Sequence, residues 1–100
     1  MERPPGWRIE TTTEFEQDFA RLSVQSERLG QYRESWEWYL QRVPNRFSSG
    51  LTSETDNESR VMAWIEPRDG IEYVAGLTLD YDRHLVQLRW LDSRELLSDS

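Results

Sequence analysis

Two alternating rows of side chains carry the chemistry that this sequence can offer. Arg60, Met62 and Trp64 fall on one side of a candidate strand, RVMAWIE, and Gln87 and Arg89 share a side of a later one, HLVQLRWL. Residues two apart in a strand face the same way, so each set forms a row. If the rows meet on one sheet face, they make a patch of arginine and aromatic groups. Such a patch stacks on bases and pairs with phosphate. It equally docks a protein, because Trp and Arg anchor protein interfaces. Packing against a second copy of the chain is a third use. Charge ranks protein above RNA. Nineteen acidic residues against twelve basic ones leave a net of −7, which opposes unspecific attraction to nucleic acid or anionic membrane.

Other groups promise less. His84 is the single histidine and stands at a turn-to-strand junction, where a solvated structural role is the simpler one. Asp80 and Asp82 flank Tyr81, and two carboxylates that close can hold a cation. In a turn, though, such a pair more commonly bonds the backbone. Nucleophile elbow, P-loop, HExxH and dinucleotide fingerprints are all missing. The chain has no cysteine, which excludes disulfides and thiolate chemistry. Every basic residue is Arg, so Lys nucleophiles and Schiff bases are excluded too. A coding bias toward arginine explains that more simply than function does. No metal or cofactor is expected. No apolar run approaches the ~18 residues of a membrane span, and MERPPGWR lacks a signal-peptide core. A soluble, cytoplasmic protein is the expectation.

The elements that must position these rows follow from the hydrophobic pattern. One hundred residues make one domain, and five Trp, four Tyr and three Phe can fill its core despite a hydrophobic fraction of 36%. Trp7–Glu10 alternates as a short strand. Thr13 with Glu16, and Thr11 with Glu14, both have capping-box spacing, and Phe15, Phe19 and Leu22 form the stripe of a first helix. A second helix is predicted from about Glu27 to Arg42, its stripe running through Leu29, Tyr32, Trp36, Tyr39, Leu40 and Val43, with Pro44 ending it and Trp38 pointing outward. The polar stretch 45–59 reads as a mobile loop, and 1–6 and 96–100 as frayed ends.

Three strands come next: Arg60–Glu66, Ile71–Leu79 and His84–Leu91, joined across Pro67–Gly70 and Asp80–Arg83. Ile71, Tyr73, Ala75, Leu77 and Leu79 face the core, and His84, Val86, Leu88 and Trp90 form the comparable row on the third strand. Gly76 signals a bulge or a close approach by another group. A helical turn is expected at Arg94–Leu97. The fold class is α+β: a four-stranded, mainly antiparallel sheet with a two-helix hairpin on one face, in the order β-α-α-β-β-β.

That order resembles the RelE/ParE family of bacterial toxins. WRIETTTEFEQDFARL is similar to the family's opening strand and acidic-Phe helix. YLQRVPNRF, the Gly50-Leu51 that follows and the closing meander are similar as well, so the likeness spans residues 7–95. The resemblance implies a toxin-type module of a toxin–antitoxin system, with a cognate antitoxin wrapped over it. It implies either ribosome-dependent mRNA cleavage or inhibition of DNA gyrase. The cleaving members are basic and use Lys and Arg with a C-terminal aromatic or His. Here Arg60 and Arg89 are the nearest counterparts, and Arg94 lies where a closing Arg often falls. A Lys-free, acidic chain departs from that pattern. It favours a module that binds a macromolecular partner through Arg60, Met62, Trp64, Gln87, Arg89 and Arg94. The alternatives are an endoribonuclease acting on RNA at the ribosome, and a non-catalytic assembly domain of the same topology.

Overall fold

The computed structural model describes residues 6–53, 57–68 and 70–96. Its elements run β1 (Arg8–Thr11), α1 (Thr13–Ser23), α2 (Leu29–Arg42), α3 (Pro44–Phe47), β2 (Ser49–Ser53), β3 (Asn57–Glu66), β4 (Ile71–Asp80) and β5 (Leu85–Glu95). Among the described residues the strands form one five-stranded sheet in the order β1-β5-β4-β3-β2. β1 lies parallel to β5, and the other neighbours pair antiparallel. The α+β class and the meander are as the sequence predicts. No helix among the described residues is long and apolar enough to cross a membrane.

Local chemistry sets the helix ends. Thr12, rather than Thr11 or Thr13, caps α1, its hydroxyl accepting from the Phe15 N–H at 3.1 Å. Thr11 still contributes, donating to Glu16 at 2.6 Å. α2 starts at Leu29, two residues later than predicted, without a side-chain cap. Pro44 does not simply end the chain's helical run. It opens the single turn α3, because Pro needs no hydrogen-bond partner for its nitrogen at a first helical position.

Three expectations need correction. The stretch 45–59 is not a loop over its described residues, 45–53 and 57–59, which hold most of α3, the strand β2 and the start of β3. The Ser- and Thr-rich β2 has no apolar alternation of its own and is made a strand by its hydrogen bonds to β3. The sheet therefore has five strands, not four. Of the helical turn expected at Arg94–Leu97, Arg94 and Glu95 instead extend β5 in its pairing with β4, and Leu97 lies outside the described residues. The expected frayed ends fall mostly on 1–5 and 97–100, outside the described residues.

The core lies between the helices and one face of the sheet. Phe15, Leu22, Leu29, Tyr32, Trp36 and Leu40 come from the helices. Tyr73, Ala75, Leu77 and Leu79 come from β4, as their alternation requires. β5 departs from the prediction halfway along. Val86 and Leu88 are buried, but Leu91 takes the place expected for Trp90. The cause is a register shift at Gly76/Leu77, where Leu77 pairs with Leu88 and Gly76 with Trp90, leaving Arg89 as an extra residue. One inserted residue exchanges the faces of everything after it.

Candidate partner-binding face

The far face of the sheet carries no helix among the described residues. Register assigns it Arg8 and Glu10 from β1, Gln87, Trp90, Asp92 and Arg94 from β5, Glu72, Val74, Gly76 and Thr78 from β4, and Val61, Ala63 and Ile65 from β3. Arg89 joins them: its Nη1 donates to Gln87 Oε1 at 2.6 Å, along the same side of the strand.

This arrangement depends on how α1 grips β5. The last backbone partner from the β1 side is the Thr12 N–H, which donates to the Leu88 carbonyl at 3.0 Å. Side chains of α1 and its cap take over. The Thr12 hydroxyl donates to the Arg89 carbonyl at 2.8 Å, and Asp18 Oδ2 accepts from the Leu91 N–H at 3.0 Å. The bulge is thus held on both sides of Trp90. Backbone groups that a bulge frees must find partners or lose stability, so these two contacts fix where the chain changes face.

Trp90 then lies against Gly76. A Cβ at position 76 would overlap the indole ring, meeting Nε1, Cε2 and Cζ2 inside contact distance. Gly76 is needed for space and not for an unusual backbone angle, since among the described residues the positive-φ ones are Gly70 and His84. Beside the indole is a shallow cavity of about 220 Å³ bordered by Val74, Asp92 and Arg94. Arg94 pairs through Nε with Glu72, a largely buried carboxylate. Ile65, about half exposed, extends the apolar strip toward the β3 edge. The charges are mixed, with Arg8, Arg89 and Arg94 set among Glu10, Glu72 and Asp92. Among the described residues no group of three or more His, Asp or Glu is placed to hold a metal ion.

The six residues predicted to form one patch are divided by the sheet. Gln87, Arg89 and Arg94 are on the open face. Arg60, Met62 and Trp64 pair with Leu77, Ala75 and Tyr73, and so share the face under the helices. Met62 is fully buried. Trp64 packs on Trp36 at 6.5 Å and Phe47 at 6.0 Å between ring centroids. Arg60 reaches around the turn of α3, donating to Ser48 Oγ at 2.6 Å and to the Asn45 carbonyl at 2.9 Å. The alternation within each strand is right. The relative facing of the two rows is a matter of register, which neither strand encodes alone. Trp90 is the member that sequence reasoning placed in the core, and Gly76 was the signal for it.

Behind the sheet, α1 and α2 are joined by Arg33. Its guanidinium forks onto both Glu16 carboxylate oxygens, at 2.9 and 2.7 Å, and its Nε reaches Glu37 at 3.2 Å. It also lies over the rings of Phe15 and Phe19, at 5.2 and 4.6 Å. The Arg33 contacts first, and the Thr11 hydroxyl second, hold the Glu16 carboxyl down at about 2. Arg33 is correspondingly harder to deprotonate, chiefly through Glu16.

No protein-family model matches this chain, and no curated protein does. Solved structures are similar to it. A chain of the toxin–antitoxin complex RelBE2 from Mycobacterium tuberculosis superposes with a TM-score of 0.64 at 22% identity, covering 93% of this chain and 95% of that one. A chain of the archaeal RelE–RelB complex from Pyrococcus horikoshii OT3 gives 0.58 at 12% identity, covering 94% and 99%. Identities this low speak to fold, and over nearly the full length of both chains that fold is RelE-like.

Proposed function

We propose that this RelE-like chain is the toxin-type module of a toxin–antitoxin system and acts by binding a macromolecular partner. The observation that carries it is the end-to-end likeness to chains of two toxin–antitoxin complexes. The proposed contact surface is the open face around Trp90, with Gln87, Arg89 and Arg94 beside it. A protein of antitoxin type is the occupant. An indole, an exposed Ile65 and arginines alternating with carboxylates suit a protein interface, where aromatic and Arg anchors sit within a polar rim. A phosphate backbone asks instead for an excess of positive charge, and this face and the net −7 do not offer it. An endoribonuclease role loses support from the geometry as well. Arg60 is on the opposite side of the sheet from Arg89 and Arg94, so the three do not converge on one phosphate.

Induced expression in a bacterial host tests this. Growth should stop, and co-expression of the protein encoded beside it should restore growth and co-purify with it. Arg89→Glu combined with Trp90→Ala should abolish capture while the chain stays folded. Unaffected growth together with no complex would remove the toxin role. Cut mRNA in a translation extract would restore the endoribonuclease.

A further inference from the structure

On the helix side of the sheet, at the end where β1 begins, a second concave site stands apart from the open face. Trp7 and Tyr81 wall a cavity of about 280 Å³, and Arg42 and Arg46 line it with Val43, Pro44 and Asn45. Among the described residues no acidic one lines it, in a chain whose net charge is −7. Trp7 is held in place by its N–H on the Gln41 carbonyl at 3.2 Å. Its ring meets Tyr81 edge-on at 5.5 Å and His84 at 5.2 Å. His84 keeps that contact with φ at 50°, a left-handed conformation uncommon for any residue with a Cβ. Arg42 is engaged on its own helix. Its guanidinium covers the Trp38 ring at 4.1 Å and donates Nη1 to the Trp38 carbonyl at 3.0 Å. Among the described residues the Arg46 side chain has no hydrogen bond or ion pair.

We infer that this basin binds a single nucleoside phosphate, the base on the Trp7–Tyr81 wall and the phosphate between Arg42 and Arg46. Aromatic faces take any base by stacking, and arginine forks suit phosphate oxygens. Size and surroundings limit the ligand to one unit. The volume, about 280 Å³, is just under the usual range of small-molecule sites, about 300–1,000 Å³. Asp82 follows Tyr81 in the chain, and the net negative charge opposes a phosphate backbone running onward. This site does not depend on the toxin assignment, and either can fail alone.

The test uses the whole chain. AMP, UMP, inorganic phosphate, a short oligoribonucleotide and an acidic peptide are titrated separately while the Trp7 indole N–H is followed by NMR. Each nucleotide should saturate, shifting Trp7 and the Arg42 and Arg46 side-chain signals. Arg46→Glu and Tyr81→Ala, both at exposed positions, should each weaken binding by about tenfold or more with unchanged circular dichroism. Three results would overturn the inference. One is no saturable shift up to about 10 mM, weaker than any site worth the name. Another is inorganic phosphate binding as well as AMP, which removes the stacking. The last is tighter binding of the oligoribonucleotide or the acidic peptide, which assigns the basin to another ligand.

Discussion

The Trp90 indole occupies the space above Gly76 that a Cβ would need, so one glycine and one tryptophan together shape the open face. An alanine at 76 must push the ring off the sheet. Gly76→Ala should cost about 1–3 kcal/mol, the usual range for overpacking, read as a lower urea midpoint and a red-shifted emission. In a Trp90→Ala background the same change should cost close to nothing, since no ring remains to displace. Additive costs in the two backgrounds would show that something else excludes a side chain at 76.

Asp18 should matter more to β5 than its place on a helix surface suggests. Asp18→Ala leaves the Leu91 N–H without its carboxylate, a loss of about 1–3 kcal/mol for a donor in a partly buried position. Hydrogen exchange at Leu91 should accelerate more than at Leu88, which β1 covers. Equal protection at both amides would mean the bulge does not rely on this contact.

Arg33 links acid sensitivity to the packing of the two helices. Glu16 titrates at about 2 in the folded chain against 4.5 ordinarily. A carboxyl depressed in this way adds stability that is complete above pH 4.5 and disappears as pH falls toward 2. Glu16 is nearly half exposed, so solvent screening limits the gain to about 1 kcal/mol. Arg33→Met should therefore lower stability at pH 7, and the gap to the parent should narrow below pH 4.5. Carboxyl NMR should show Glu16 returning toward its ordinary value in the variant. A gap that stays constant with pH would assign the loss to the Phe15 and Phe19 contacts alone.

Two arginines that look interchangeable in the sequence should behave in opposite ways. Arg60→Ala removes hydrogen bonds that tie β3 to α3 and should cost about 1–3 kcal/mol, while partner capture per folded molecule is unchanged. Arg89→Ala breaks one exposed contact to Gln87, with stability expected to hold within about 0.5 kcal/mol, while capture weakens. Denaturation midpoints and binding isotherms on both variants separate the roles. A binding defect confined to Arg60→Ala would reverse the assignment of faces.

Much of the fold was legible along the chain. The alternation Ile71, Tyr73, Ala75, Leu77, Leu79 determined which side of β4 is dry, and Phe15 with Leu22, or Leu29 with Trp36, determined the inner stripe of each helix. These are local periodicities, and burial enforces them wherever the element docks. Tertiary structure alone decided the rest. Ser49–Ser53 is a strand because β3 pairs with it, and Leu91 replaced Trp90 in the core because α1 holds a bulge at Arg89. Arg60, Met62 and Trp64 went under the helices because register put them opposite Leu77, Ala75 and Tyr73. Residue spacing says which side chains share a face of their own strand. Only hydrogen bonding between strands says whether two such faces are the same one.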